Sequence, residues 1–285
     1  MIPRPIEACL TIAGSDPSGG AGIQADLKTF TVLKVYGCAV ITCLTAQNSK
    51  GVQAYQSVGH DFLRQQIRLV LEDLPIRHIK IGMVGTKEAA ETIGEALSLF
   101  QGQIIYDPVL QASDGSSLII PGTLEQLRAH VLSRATVITP NLPELQILTD
   151  APCPDEQKAL DQACRLFAIF PKLEAIALTG GHFPAESDEI TDFLILRPVR
   201  GAKRETEIHK ALHKRVKTRN THGTGCTFSS AFTAYLLKEE NHKKAFFKTV
   251  NFMDQLLRES ALYDLGKGHG GLAHHLFKDN QGRIF

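Results

Sequence analysis

The sequence predicts an α/β fold in which helices cover both faces of a mainly parallel sheet. Short apolar runs alternate with amphipathic helical patterns along most of the chain, a pattern typical of such sheets. Glycine-rich or acid-bearing loops directly follow several of these runs, where ligands bind in folds of this class. Because the 285 residues contain neither a repeat nor a low-complexity linker, we expect one domain over residues 1–285.

The predicted elements follow one another in a regular order. The first strand is Ala8–Ile12, and apolar residues at three- and four-residue spacing predict a helix over Ile23–Val35. Near the end of the chain, residues 190–196 and 205–216 read as an antiparallel pair of strands. Two long helices follow, near 227–239 and 242–263. The remaining strands are predicted at 38–44, 78–81, 103–106, 136–139 and 175–178, and the remaining helices at 61–73, 87–100, 123–132 and 156–170.

Composition narrows the class of protein. The formal net charge is +1, so no strong field attracts nucleic acid or a membrane surface. No apolar run approaches the length of a membrane span, and the first residues lack a signal-peptide pattern, so we expect a cytoplasmic protein. The six cysteines have neither zinc nor thioredoxin spacing, so we expect reduced thiols.

The most informative stretch is residues 220–231, where a glycine-rich loop precedes an apolar helical run. Gly223 and Gly225 allow close approach of the backbone to an anion, and a helix N-terminus attracts phosphate. Thr224 lies between them. Cys226 falls in the first helical turn, where the pKa of a thiol is lowered, so it is a candidate catalytic residue. The alternative is a plain glycine-rich loop that caps a core helix.

A second glycine-rich loop, residues 13–22, follows the first strand and precedes Asp26. It contains four glycines within nine residues, more than a strand–helix connection needs, which favours a ligand site. The side-chain amide of Gln47, near the end of the second strand, suits the edge of a heteroaromatic ring, although an ordinary turn is equally compatible. Met83 is either core or pocket lining, and Lys80 fits a snorkelling surface residue.

Two acids occur at predicted strand ends. Asp107 and Glu144 are hard oxygen ligands, which suit Mg²⁺, while the alternative is that they cap helix N-termini. The histidines of the glycine-rich tail, residues 266–275, are capable of binding metal. We interpret that tail instead as a surface strap.

These loops, in this order, resemble the ribokinase-like kinases, and in particular the hydroxymethylpyrimidine/phosphomethylpyrimidine kinases. The resemblance spans nearly the whole chain. It is carried by Thr11–Thr29, Ala46–Asn48, Lys80–Met83, Thr139–Glu144, Asn220–Thr227 and Gly268–Gly270.

The resemblance implies a three-layer αβα ribokinase-like fold. It also implies two successive ATP- and Mg²⁺-dependent phosphorylations of 4-amino-5-hydroxymethyl-2-methylpyrimidine in thiamin biosynthesis, and we expect a homodimer. Cys226 stands where many relatives of the wider superfamily carry an aspartate base. The other implied site residues are Gln47, Gly14, Asp26, Met83 and Val109 for the pyrimidine, and Asn141 and Glu144 for ATP and its magnesium. We also expect Thr179, Gly180 and Lys80 to bind the nucleotide, and Asp107 to hold magnesium together with Glu144.

One position departs from the family pattern. The family commonly has a lysine before Gly-Gly-His near the nucleotide phosphates, but this chain has Thr179. Lys80, Arg219 and the metal are candidates to supply the missing charge. Two other functions stay open: a pyridoxine or pyridoxal kinase, and a ligand-binding relative without turnover, which Thr179 alone favours.

Overall fold

A computed structural model describes residues 6–111, 122–181, 188–198 and 206–278. His182 and the first residue of the predicted strand 205–216 lie outside these ranges. The described residues form a nine-stranded sheet in the order β3-β2-β1-β4-β5-β6-β7-β8-β9. The central strands, from β2 across to β7, are parallel. An antiparallel strand, β3, borders one side, and the antiparallel strands β8 and β9 border the other.

The strands have unequal lengths. Those in the middle of the sheet are short, and the longest contributes to the hairpin at one edge. The strands are β1 (Ala8–Ser15), β2 (Tyr36–Asn48), β3 (Gly51–Ser57), β4 (His78–Ile81), β5 (Gln103–Tyr106), β6 (Val137–Ile138), β7 (Ala175–Leu178), β8 (Glu189–Leu196) and β9 (Glu207–Lys214).

The helices connect these strands and close the chain. The helix α4 continues as a π-helical turn and then a 3₁₀ turn, to Arg134. The helices are α1 (Gly22–Val32), α2 (His60–Asp73), α3 (Lys87–Ala96), α4 (Thr123–Gln126), α5 (Leu142–Thr149), α6 (Glu156–Ile169), α7 (Thr224–Glu239) and α8 (His242–Ser260).

Two hydrophobic clusters divide the molecule into three layers. One cluster joins a face of the sheet to α1, α7 and α8 through residues such as Phe30, Phe232 and Phe246. The other joins the opposite face to α2, α3, α5 and α6 through residues such as Leu63 and Leu166. Successive strand residues alternate between the two clusters because side chains along a strand point to opposite faces. The three-layer αβα fold with a mainly parallel sheet is thereby confirmed.

The strand order positions the ligand site. β1 lies between β2 and β4, so the chain first adds β2 on one side of β1 and later adds β4 on its other side. A crevice opens outside the carboxyl ends of the strands at such a reversal. The loops that follow β1, β4, β5, β6 and β7 therefore converge on one edge of the sheet.

The structure differs from the predicted elements in two places. β2 extends to Asn48 and turns back into β3, whereas the sequence predicted that Gln47 follows the strand. β3 was not predicted because it is largely exposed and lacks apolar alternation. α5 was also missed, since its eight residues are too few for a clear helical period.

Candidate active site

A cavity of about 580 Å³ opens at the carboxyl edge of the sheet. It is formed by the loops after β1, β4, β5, β6 and β7, the β2–β3 hairpin, the end of β9 and the N-terminus of α7. Most of the predicted site residues line it: Gly14, Gln47, Met83, Asp107, Val109, Asn141, Glu144, Thr179, Gly223, Thr224, Gly225 and Cys226.

Asp16 organises the glycine loop, which we define as residues 14–22. Its carboxylate accepts hydrogen bonds from the backbone N–H groups of Ser18, Gly20 and Ala21, and from the Ser18 hydroxyl, at 2.7–3.0 Å. His222 Nε2 lies 2.8 Å from the same carboxylate. Burial opposes ionisation, but these hydrogen bonds outweigh it and hold the pKa of Asp16 well below its usual range. Our sequence reasoning did not single out Asp16, although an aspartate that starts a Pro-Ser-Gly turn is a recognisable signal.

The glycine loop packs directly against the anion loop, defined as residues 220–225. A Cβ at Gly20 would lie 2.3 Å from His222 Cδ2, and one at Gly223 would lie 1.9 Å from the Gly20 carbonyl oxygen. Gly223 also has a φ of +79°, which side chains other than glycine rarely adopt. These two glycines are therefore required by contact between the loops, without reference to a ligand.

Gly225 has a different environment, because its side faces the cavity. A Cβ there would have one neighbour within 4.0 Å, Asp107 Oδ1. The residue is exposed in the first turn of α7, where backbone N–H groups have no partner within the helix. This arrangement fits the predicted phosphate site.

Three buried charged residues lie beneath the cavity and form what we call the floor cluster: Asp26, Lys80 and Asp107. Lys80 Nζ is 3.1 Å from Asp26 Oδ1 and 3.3 Å from Asp107 Oδ2. Asp26 also accepts hydrogen bonds of 2.6 Å from the hydroxyls of Thr11 and Ser230. Burial alone would lower the pKa of Lys80, but these carboxylates outweigh it and raise that pKa. Lys80 is therefore a fully buried cation.

Two sequence-based predictions need correction here. Lys80 and Asp26 have no exposed side-chain surface, and neither lines the cavity. Lys80 is thus neither the predicted surface residue nor a direct ligand of the nucleotide, and Asp26 does not touch a pyrimidine in the cavity. The reason is strand alternation, which directs Lys80 toward α1 and α7 rather than toward the carboxyl edge. Lys80 pairs with Asp107 from below, and Asp26 pairs with Lys80.

The prediction of a lowered thiol pKa at Cys226 is wrong for this structure. Burial, opposed by Lys80 and reinforced by the carboxylates of Asp107 and Asp26, raises the pKa of Cys226 to about 12. The residue keeps some exposure toward the cavity, yet the two acids below it favour the neutral thiol.

Glu144 and Asn141 form a capping box at the start of α5. The Asn141 side chain accepts from the Glu144 N–H, and the Glu144 carboxylate accepts from the Asn141 N–H, both at 2.9 Å. Burial and the neighbouring Asp107 carboxylate raise the pKa of Glu144 to about 8. Burial also raises the pKa of Asp107, although Lys80 opposes this. The capping role is therefore real, and both carboxylates also line the cavity.

The substrate end of the cavity lies between the glycine loop and the β2–β3 hairpin. A Cβ at Gly14 would lie 3.0 Å from Cys43 Sγ and 3.4 Å from Met83 Sδ, so these three residues pack together. Gln47 is partly buried on the cavity side of β2, and Thr45, on the same side, donates to the Ser15 carbonyl at 2.9 Å. Gln47 and Val109 therefore face the same cavity as Gly14 and Met83.

The opposite end is a wall built from β7, β8 and β9. Thr179 pairs with Asn141 across a parallel bridge, and the Gly180 N–H donates to Asp192 Oδ1 at 2.7 Å. His213 Nε2 lies 3.0 Å from Asp192 Oδ2. Asp192 and His213 line the cavity but were not predicted, because nothing in the local sequence shows that β8 and β9 border a site.

The remaining candidates, Arg219 and the glycine-rich tail, lie outside the cavity or at its edge. Arg219 pairs with Asp264 at 2.6 Å and does not line the cavity, so it does not replace the lysine that position 179 lacks. The glycine-rich tail behaves as a strap: Gly268 N–H donates to Ser49 on the hairpin, and the Gly270 carbonyl accepts from His222 N–H. Within the described ranges, no group of three or more His, Cys, Asp or Glu side chains is placed to hold a metal.

The fold and site define a class of protein. A three-layer αβα sandwich with a glycine loop, a hairpin over the cavity and an anion loop at a helix N-terminus is that of the ribokinase-like kinases. Solved structures agree. The chain is similar to the Staphylococcus aureus pyridoxal kinase in complex with AMP-PCP and pyridoxal, with a TM-score of 0.78, 27% identity and 94% of each chain covered.

Within this class, the chain belongs to the phosphomethylpyrimidine kinase family, whose model matches residues 16–273. It is 39% identical to the Escherichia coli hydroxymethylpyrimidine/phosphomethylpyrimidine kinase over 93% of this chain and 96% of that protein. It is 36% identical to the Bacillus subtilis protein of the same name, over 96% and 97%. The crystal structure of a Clostridium difficile phosphomethylpyrimidine kinase matches with a TM-score of 0.71 and 33% identity, over 87% and 98%.

Proposed function

We propose that this chain phosphorylates 4-amino-5-hydroxymethyl-2-methylpyrimidine with ATP and then phosphorylates the monophosphate, as in thiamin biosynthesis. The observation that carries the proposal is the single cavity that joins Gln47, at one end, to the anion loop and to Thr179, at the other. It can hold an acceptor and a nucleotide side by side. The relatives named above carry both activities in their names.

We assign the substrate end to the pyrimidine. The amide of Gln47 donates and accepts at once, which matches an aminopyrimidine edge. Gly14, Met83 and Val109 supply surface for the ring, and the absence of a side chain at Gly14 leaves room for Cys43 and Met83 to pack. Asp26 contributes only through the floor cluster.

The transferred phosphoryl group is assigned to the first turn of α7. The residues of this turn line the cavity, and N–H groups at a helix N-terminus have no partner within the helix. Such donors stabilise charge that develops during phosphoryl transfer. Asn141 and Thr179 form the neighbouring nucleotide wall. The predicted Gly180 does not line the cavity, because it packs against the Thr191 backbone and its N–H donates to Asp192. Cys226 lies beside the acceptor as a neutral thiol, so we assign it to shaping the site rather than to accepting the proton.

Magnesium fits the acids of the cavity. Asp107 Oδ2 is buried without a hydrogen bond, although Lys80 faces it, and Asp107 raises the pKa of the nearby Glu144. A carboxylate whose pKa is raised by a neighbouring carboxylate is stabilised in its charged form by a cation, and Mg²⁺ is held by one or two carboxylates together with substrate phosphates. Glu144 and Asp107 would hold it, directly or through water, where it would neutralise phosphate charge.

The second candidate is a pyridoxal kinase, which the similarity to the Staphylococcus aureus enzyme favours. A panel of acceptors decides between them. With ATP and Mg²⁺, ADP release is measured for the hydroxymethylpyrimidine, its monophosphate, pyridoxine and pyridoxal. The proposal expects the highest kcat/KM for the two pyrimidines, and a higher kcat/KM for pyridoxal contradicts it. A chain that binds these compounds without ADP release would be a ligand-binding relative.

Three further properties belong to the same proposal. We propose that residues 1–285 act as a single kinase domain in the cytoplasm, without a nucleic-acid or membrane partner. None of the helices in the described ranges is long and apolar enough to cross a membrane. A homodimer is supported by exposed apolar side chains near one edge of the sheet, including Tyr36, Leu44, Tyr55 and Phe62. Light scattering of the purified chain tests the dimer, and a monomer at all concentrations contradicts it.

A further inference from the structure

The nucleotide wall carries a carboxylate–imidazole pair. Asp192 is 7% exposed, and its two oxygens contact the Gly180 N–H at 2.7 Å and His213 Nε2 at 3.0 Å. Asp192 lies opposite Ala211 in the β8–β9 register, so His213, two residues further on, is on the same face. Both side chains line the cavity.

The pair lies on the path of a nucleotide. α8 packs against β8 and β9, and its Met253 and Leu257 give this end of the cavity an apolar surface that suits a nucleoside base. The N-terminus of α7 suits the phosphates at the other side. A triphosphate that extends from the base toward α7 passes Asp192. A carboxylate without a counter-charge there repels it.

His213 is the group placed to supply that counter-charge. The hydrogen bond to Asp192 raises the pKa of His213, and although burial opposes this, the Asp192 charge and a hydrogen bond to the Lys214 backbone add to it. Among the described residues, the acids that act on the imidazole are Asp192 on β8 and Asp254 on α8, and the cations Lys214 and Arg215, at the end of β9, line the same cavity. Both acids favour the imidazolium.

Lys214 and Arg215 also line the cavity, and Arg215 donates to the Gly181 carbonyl at 3.3 Å, but His213 is the group that contacts the Asp192 carboxylate. The cations proposed from the sequence lie elsewhere. Thr179 is neutral, Lys80 is fully buried between two acids, and Arg219 pairs with Asp264 outside the cavity. We propose that His213, as an imidazolium held by Asp192, neutralises this carboxylate and so removes its repulsion of ATP at a nucleotide wall where Thr179 offers no charge. His213 is thus a positioning residue for ATP. The inference rests on the proposed function, because it requires ATP in this cavity.

The sign of the pH dependence follows. The imidazolium is present below the raised pKa of His213 and is lost as the pH rises through it. Affinity for ATP should therefore be highest at acid to neutral pH and fall as the pH increases. The same titration should leave the KM for the pyrimidine unchanged, since the substrate end is formed by other residues.

The test measures KM for ATP and kcat between pH 6 and 9 in the wild type and in four variants. His213→Ala and His213→Gln should raise the KM for ATP about five- to tenfold at low pH, the effect of one partly screened charge, and remove the rise in KM with pH that His213 causes. The pH dependence left in both variants belongs to other groups such as Glu144, whose pKa is raised to about 8. The glutamine separates charge from hydrogen bonding, since it still donates to Asp192. His213→Ala combined with Thr179→Lys should restore a low KM with the same residual pH dependence as His213→Ala.

The matched control is His209→Ala, on the same strand and face but outside the cavity, which should behave like the wild type. An unchanged KM for ATP in both His213 variants, or no rescue by the lysine, overturns the inference. Calorimetry with ATP alone distinguishes a wrong proposed function from a wrong role for His213. A wild-type chain that binds no ATP contradicts the proposed function itself. ATP binding with unaffected His213 variants contradicts this inference alone.

Discussion

In the floor cluster the polar groups contact other protein groups, whereas the first turn of α7 above it lines the open cavity. In the floor cluster, Asp26 and Lys80 are fully buried and bonded to one another. In the first turn of α7, the backbone beside Gly225 is exposed and faces open space. Removing a partner from the first region leaves a buried charge, whereas filling the second blocks a ligand. The predicted motifs therefore contain two kinds of residue. The buried ones, such as Lys80, stabilise the fold, and the exposed ones, such as Gly225, serve turnover.

The largest expected effect is a loss of stability when the floor cluster loses its buried cation. Lys80→Met leaves the two buried carboxylates without their cation, which costs about 3–5 kcal/mol of unfolding free energy. Chemical denaturation of the purified variant measures it. The exposed Lys87, replaced in the same way, is the control and should change stability little. A Lys80 variant of wild-type stability contradicts the assignment of this residue to the floor.

The next effect concerns the anion loop. Gly225→Val should lower turnover by about a hundredfold or more, because its side chain occupies the phosphate position, a loss comparable to removing a transition-state donor. Thermal denaturation should show a nearly unchanged midpoint, since a Cβ there meets no protein atom closer than 4.0 Å.

A substitution at Gly223 tests whether the two glycines of this loop have different roles. Gly223→Ala places a Cβ 1.9 Å from a backbone oxygen and should lower the unfolding temperature instead. If both variants lose stability equally, the two glycines have one structural role and the separation between loop packing and ligand binding is wrong.

A smaller effect is expected at the substrate end. Gln47→Leu leaves the polar edge of the pyrimidine without partners, at a cost of roughly 1–3 kcal/mol. Pyrimidine affinity should therefore fall about tenfold or more, while ATP affinity stays constant because the nucleotide wall is untouched. Titration calorimetry with each ligand separately measures both, and unchanged pyrimidine affinity would refute the assignment.

The smallest effect is expected at Cys226. A thiol with a pKa of about 12 is neutral across the physiological range, so it does not accept the proton of the alcohol. Cys226→Ala should then cause mild, equal losses in both phosphorylation steps. A thiolate base predicts a selective loss in the first step, which separate assays with the alcohol and with the monophosphate would reveal.

The sequence predicted the fold well because its strands are short, apolar and bounded by glycine or proline. β4, β5 and β7 have the predicted limits. β3 and α5 were missed because their patterns are weak, and β3 depends on its pairing with β2. The sequence placed Cys38–Leu44 in a strand but did not show that this strand continues through Gln47.

The sequence predicted which loops form the site, but not the burial and contacts of the side chains within it. The motifs located the loops, but neither the burial of Lys80 nor the raised pKa of Cys226 follows from neighbours in sequence. The pKa of Cys226 is raised first by burial and further by Asp107, and Lys80 pairs with the same Asp107, which is distant along the chain and close in space. The Asp192–His213 pair was beyond reach for the same reason, since it forms only when β8 and β9 pair.

The central claim is that one cavity carries out two successive transfers to one pyrimidine. The direct measurement is the amount of ADP released per hydroxymethylpyrimidine consumed, with excess ATP and Mg²⁺, and with the product followed by phosphorus NMR. The account predicts that release proceeds to two ADP per pyrimidine, with the monophosphate appearing first and the diphosphate replacing it. Release that stops at one ADP, with the monophosphate as the final product, would contradict it.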